Sequence, residues 1–219
     1  MAKQFAVIGL GRFGSSLAST LARMGHEVLA VDVDEDRVNA MAPLVTQAVQ
    51  ADATDDGTLR DLGLRNFDVV VVAMKAFEAS LMATLRLKEL GVRRVIVKAA
   101  SDVHGKILEK IGADTVIFPE KDMGERVAYS LVSGSVIDHI ELSDDISVME
   151  IVVTKAMAGR TLRDLNLRNR MGLTVVAIKR NENVNVFVSP DEPLRETDVL
   201  VAVGPNEGVE KLSRLIERG

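Results

Sequence analysis

The chain of 219 residues has no cysteine and no tryptophan. Without cysteine there is no disulfide framework, no thiolate metal site and no cysteine nucleophile. Aromatic residues make up 3% of the chain, one Tyr and six Phe, so a platform for stacking nucleic-acid bases is poorly supplied. Positive charge is not in excess either: the formal net charge of −5 argues against a general nucleic-acid binder. The longest apolar run, residues 69–74, falls far short of the ~20 residues a membrane-spanning helix needs. The opening Met1-Ala2-Lys3-Gln4-Phe5 leads into no long apolar stretch with a cleavage site, so no secretory leader is expected. The chain reads as soluble and cytoplasmic. What it does have is aliphatic bulk, with 47% hydrophobic residues, enough for one or two cores of ordinary size.

Short apolar runs alternate with helical patterns through roughly the first 120 residues. Phe5-Ala6-Val7-Ile8 reads as a strand, followed by a glycine turn and a helix with Phe13, Leu17, Leu21 and Met24 on one stripe. Further strands are expected at 28–31, 46–51, 69–73, 95–98 and 115–118, with helices at 35–41, 55–62, 79–90 and 103–111. Consecutive Val and Ile imply strands buried on both faces, hence a parallel sheet covered by helices. The expected fold class is α/β, a Rossmann-like doubly wound parallel sheet. After Pro119 the rhythm changes. A helix is expected over about 120–132, closing a first domain of residues 1–135, and Ser133-Gly134-Ser135 begins a hinge continuing over 136–144. Residues 145–219 then read as a smaller α+β lobe. Its expected strands are 148–153, 174–179, 184–188 and 199–203, with helices at 162–168 and 208–217.

Gly9-Leu10-Gly11-Arg12-Phe13-Gly14 has the pattern G-x-G-x-x-G between the first strand and an amphipathic helix. The first glycine permits the tight turn, the second lets backbone amides approach a pyrophosphate, and the third allows helix and strand to pack closely. Asp32 ends the second strand near the spacing of a ribose-binding acid, and its charge would repel a 2′-phosphate. Arg12 is a cation at a helix N-terminus, where it opposes the macrodipole. Either it meets a bound polyphosphate, in its own subunit or a neighbour's, or it extends into solvent. Asp52, in Ala51-Asp52-Ala53-Thr54, stands at the carboxyl edge of the sheet, facing a nucleoside or capping the next helix. Lys98 ends the fifth strand on that edge, reaching phosphate or only solvent. Glu120 is either a first-turn acid favoured by the helix dipole or a hard oxygen ligand for a cation.

A dehydrogenase on such a fold needs a substrate domain and a proton-transfer group. The chain has three histidines, His26, His104 and His139, and none lies in a zinc motif or a visible triad. A nucleotide-binding turn without accompanying chemistry suggests that the nucleotide is a signal. A small NAD-dependent oxidoreductase stands as the alternative.

Phe5-Ala6-Val7-Ile8-Gly9-Leu10-Gly11-Arg12-Phe13-Gly14 resembles the cytosolic RCK (KTN) regulatory subunits of Ktr/Trk-type potassium uptake systems. So do Gly25-His26-Glu27-Val28-Leu29-Ala30-Val31-Asp32, Leu108-Glu109-Lys110-Ile111-Gly112-Ala113-Asp114 and Pro119-Glu120-Lys121-Asp122-Met123-Gly124. The second lobe, with Thr161-Leu162-Arg163-Asp164-Leu165-Asn166-Leu167-Arg168, is similar to the family's C-terminal RCK module. The resemblance implies a homo-octameric ring with dimeric lobes as its unit. Such a ring docks on a potassium-translocating membrane subunit, peripheral at the inner face of the cell membrane. It implies that ATP or ADP switches the ring; NAD(H) stands as an alternative ligand, since Asp32 suits the ribose of either nucleotide. Carried over by position, Gly9, Gly11 and Gly14 hold the phosphates and Asp32 the ribose. Arg12 contacts the terminal phosphate across a subunit boundary, and Glu120 helps coordinate a divalent or monovalent cation. Phe13, Asp52, Ala53, Thr54 and Lys98 complete the expected nucleotide-binding set. Some members bind cyclic di-AMP between paired C-terminal lobes. The corresponding segment here includes Arg168 and Pro190, with Thr174 where some such members have Asn.

Overall fold

A strand apolar at every position must be covered on both sides, and the first part of the chain is built on this rule. In a computed structural model, which describes residues 2–132, 136–208 and 211–212, the chain divides into two units, Met1–Glu120 and Lys121–Gly219. The first unit runs β1 (Gln4–Ile8), α1 (Arg12–Arg23), β2 (Glu27–Asp32), α2 (Glu35–Met41), β3 (Gln47–Gln50), α3 (Asp56–Asp61), β4 (Val69–Val72), α4 (Phe77–Glu89), β5 (Val95–Lys98), α5 (Asp102–Lys110) and β6 (Thr115–Ile117). All the strand pairs are parallel, in the order β3-β2-β1-β4-β5-β6. Alternate side chains take opposite faces. On one face Ala6, Ile8, Val70 and Val72 pack with Leu59, Ala83, Leu87 and Leu108 from α3, α4 and α5. On the other, Val7, Ala30 and Val71 pack with Ala18, Val38 and Met41 from α1 and α2. This is the expected doubly wound sheet, and its winding reverses between β1 and β4.

Helix α6 (Pro119–Val132) carries the chain across the division. The second unit continues with β7 (Val136–Ser143), β8 (Ile146–Val152), α7 (Leu162–Leu165), α8 (Leu167–Met171), β9 (Thr174–Arg180), β10 (Asn183–Asn185) and β11 (Asp198–Pro205). The sheet is antiparallel in the order β10-β9-β11-β8-β7. Its core gathers Met149, Ile151, Leu165, Leu167, Leu173 and Leu200.

Three local expectations change here. The segment 136–144, expected to be a hinge, is β7 paired along β8, and Asp144-Asp145 form the turn between the two strands. Pairing rather than amphipathicity makes this strand: Ile137, Ile140 and Leu142 point outward, so the segment lacks the alternation that marks a half-buried strand. The expected single helix at 162–168 is split into α7 and α8 by Asn166, whose φ is +46°. A continuous helix would turn Leu165 and Leu167 to different faces, and the break lets both reach the core. The expected strand 184–188 shrinks to β10. Ser133-Gly134-Ser135, and most of the expected closing helix at 208–217, lie outside the described residues. Among the described residues no helix is long and apolar enough to cross a membrane.

The second unit is pinned by a buried carboxylate. Asp198 is 0% exposed, and Arg180 donates to its two oxygens from Nε and Nη2 at 2.7 and 2.8 Å. The backbone N–H of Arg195 donates a further bond at 2.9 Å. The Arg180 hydrogen bonds hold this carboxyl below its ordinary value, against burial, which pushes it up. With the folded value below the unfolded ~3.9, the stabilisation is fully present above about pH 4 and is lost as pH falls through the folded value. Asp198→Asn is therefore expected to lower the urea midpoint at pH 7, and the gap from wild type should close in titrations below about pH 4. A gap that persists unchanged into strong acid would contradict the charge-based account.

Candidate nucleotide-binding site

Between the last residue of β1 and the first of α1 the chain must reverse within Gly9, Leu10 and Gly11. Gly9 does so at φ +94°, and a Cβ there would stand 2.9 Å from the carbonyl carbon of Ala73. Gly14, in the first turn of α1, is more tightly constrained: its Cβ would fall 1.9 Å from the Gly9 carbonyl oxygen. At Gly11 a Cβ would meet nothing within 4 Å. So the first and third glycines are required by the protein's own packing, and the middle one presents open backbone. Gly11 is the N-cap of α1, makes no side-chain cap, and no acid occupies the helix's first turn. Leading N–H groups at the positive end of a helix dipole, with no acid in the helix's own first turn, are suited to an anion.

Asp32 closes β2 at the next strand end and is 7% exposed. One carboxylate oxygen accepts from the Leu10 N–H at 2.5 Å, the other from the Asp34 N–H at 3.0 Å. A carboxylate offers about four acceptor positions, so room remains for a vicinal diol. Arg37 Nη1 lies 3.5 Å from the same carboxylate. Beside these groups is a cavity of about 320 Å³ lined by Gly9, Gly11, Asp32, Arg37, Ala53 and Lys75 among others. It opens where the winding of the sheet reverses, outside the carboxyl ends of the strands, the place where ligands bind in open α/β sheets.

Of the expected residues, Gly9, Gly11, Asp32 and Ala53 line this cavity together. Arg12 is exposed at the head of α1, with Phe13 half-buried and Gly14 buried behind it. No salt bridge engages Arg12 among the described residues. Asp52 closes a turn on itself, accepting from Thr54 N and Oγ1 at 2.8 and 2.7 Å. These bonds hold its carboxyl below the ordinary range. The capping role considered for Asp52 falls to Asp55, which accepts from the Thr58 N–H at 2.8 Å. Neither Asp52 nor Thr54 lines the cavity.

Lys98 and Glu120, expected to act separately, meet each other: Nζ donates to Oε1 at 2.6 Å. That bond lowers the Glu120 carboxyl from its ordinary value. The described residues contain no cluster of three or more His, Asp or Glu side chains suited to a metal ion. In the second unit Arg168, Thr174 and Pro190 share a separate cavity of about 210 Å³ with Leu167, Leu173 and Val188. The histidines stand elsewhere: His26 packs on Phe5, His104 on Phe77 and His139 on Tyr129.

Two charged lining residues, Arg37 and Lys75, escape the sequence reading. Arg37 had a signal, since it is a cation in the first turn of a helix, the same anomaly that singles out Arg12. Lys75 follows β4 at the ligand edge, where only the position of the loop marks it. The glycine geometry separates folding from binding. Gly14→Ala should cost about 1–3 kcal/mol of stability through overpacking, read by urea unfolding, and Gly11→Ala should unfold like wild type.

Two domain families match the sequence, the TrkA-N domain over residues 5–119 and the TrkA-C domain over residues 148–217. The chain is 47% identical over 219 residues to Ktr system potassium uptake protein C of Bacillus subtilis, covering 100% of this chain and 98% of that protein. It is also 47% identical over 210 residues to Ktr system potassium uptake protein A of the same organism, covering 95% of each. Among solved structures, the GsuK channel bound to NAD has the same fold, with a TM-score of 0.69 at 20% identity, over 99% of this chain and 40% of that one. The likeness noticed in the GRFG and PEKDMG segments therefore extends along the whole sequence, and the chain belongs to the Ktr/TrkA-type RCK family of potassium uptake proteins.

Proposed function

We propose that the first unit binds an adenine nucleotide, ATP or ADP, and that the chain is a cytosolic regulatory subunit of a membrane potassium uptake system, a switch rather than an enzyme. The observation that carries this reading is the uncapped, acid-free N-terminus of α1 beside a cavity that also contains Asp32. The names of the relatives, Ktr system potassium uptake proteins, support the process. The leading N–H groups of α1 hold the phosphates, and Asp32 accepts the ribose hydroxyls. Arg12 reaches the terminal phosphate, in its own subunit or an adjacent one of a homo-octameric ring. One charge-assisted bond contributes about 1.5–3 kcal/mol. Repeated around a ring, differential affinity of this size for two states suffices to shift their populations.

Glu120 is the oxygen ligand available for a cation beside the phosphates, on release from Lys98. A single carboxylate is not a cation site by itself, because a hard cation takes about six or more oxygens, so phosphate oxygens complete the set. In the second lobe, Arg168 and Pro190 offer a cation and an apolar face suited to cyclic di-AMP. The ring would work at the inner face of the cell membrane, held there by the potassium-translocating subunit.

Calorimetry with ATP, ADP and NADH competing for one sample tests the ligand. ATP and ADP should bind in micromolar or better range, and NADH with any 2-oxo acid should show no turnover. Arg12→Ala should weaken ATP by about 10-fold or more and leave ADP nearly unchanged. Equal losses for both nucleotides would remove Arg12 from the terminal phosphate. Native mass measured with and without ATP checks the assembly, with an octamer expected.

A further inference from the structure

We infer that Arg37 recognises the base: its planar guanidinium stacks on one face of the purine and does the work usually given to an aromatic ring. The inference rests on the nucleotide reading above. A ribose held by Asp32, with its phosphates at the head of α1, leaves the base to extend past Asp32 on the side away from the glycine turn. The residues lining the cavity beside Asp32 are Val33, Arg37, Ala51 and Ala53. This wall is apolar apart from one cation, and none of the lining residues is aromatic.

Arg37 is already placed for stacking. Its guanidinium stands 3.5 Å from Asp32 and 3.3 Å from Asp34. Neither approach is a hydrogen bond among the described residues, so the two carboxylates attract the group without fixing its N–H fork. Its side chain is 53% exposed and lines the cavity. The backbone is set by Asp34, whose carboxylate accepts from the Asp36 and Arg37 N–H groups at 3.0 and 3.3 Å and starts α2. A cation in the first turn of a helix is unfavourable, and the two carboxylates offset that cost. Guanidinium stacks on π faces better than ammonium does, because it is planar and weakly hydrated. Stacking reads ring area rather than ring edge, so the site should discriminate poorly among purines and strongly against nucleotides that lack a base.

The experiment is calorimetry on the full chain with ATP, 2′,3′-dideoxy-ATP and ribose 5-triphosphate. In Arg37→Ala, ATP and dideoxy-ATP should each weaken by about 5- to 10-fold, and ribose 5-triphosphate should bind as to wild type. Arg37→Lys, which keeps the charge and loses the plane, should recover less than half of that loss. If Arg37 only orients Asp32, the loss will follow the hydroxyls: it will appear with ribose 5-triphosphate and vanish with dideoxy-ATP, which overturns the inference. Wild-type binding of ATP with no change in Arg37→Ala overturns it while the nucleotide reading stands. Wild-type protein that binds none of the three ligands overturns both. Circular dichroism and thermal melting of each variant check that the fold is intact.

Discussion

The first turn of α1 runs so close to the end of β1 that no side chain fits between them, and the rest of the candidate nucleotide site depends on that contact. With Gly14 packed against the Gly9 carbonyl, the N-cap residue Gly11 comes to line the cavity beside Asp32. The same closeness seats Ala18 in the core shared with Val7 and Ala30. Helix position, sheet packing and the direction of the helix dipole are thus one constraint. It leaves Gly11 facing open space, where a phosphate can meet backbone and no side chain intervenes.

Much of the charge at the carboxyl edge of the sheet has a partner within reach. Asp32 has Arg37 nearby, Lys98 has Glu120, and Asp52 and Asp55 are engaged by threonines in their own turns. Glu120 is the second residue of α6, the helix that carries the chain out of the first unit. The Lys98–Glu120 bond therefore ties the end of β5 to the start of that helix. The second unit follows a different plan. Its buried Asp198, gripped by Arg180, fixes β9 and β11 by charge as well as by pairing.

Much of the first unit was legible from local pattern. Runs such as Val69-Val70-Val71-Val72 must be buried on both sides, and α2 and β5 were read with their observed bounds. The glycine turn and the position of Asp32 at the end of β2 were legible because each answers to a short-range rule about turns and strand ends. The second lobe was less so. In β7 the apolar residues Ile137, Ile140 and Leu142 face outward, so periodicity could not reveal the strand, and only β8 alongside makes it one. At Asn166 the helix breaks because Leu165 and Leu167 both seek the core, which no local propensity announces.

By itself the sequence determined the alternating βα units and the glycine turn after β1, because hydrophobic period and glycine spacing act over a few residues, and it carried the family through its resemblance in segments such as residues 5–14 and 119–124. The tertiary structure alone decided that Lys98 meets Glu120, that Arg37 stands beside Asp32 at the cavity, that Asp55 rather than Asp52 caps α3, and that Arg180 closes on Asp198. Partner choice among charged side chains depends on distances across strands and loops. Those distances exist only once the sheets have formed.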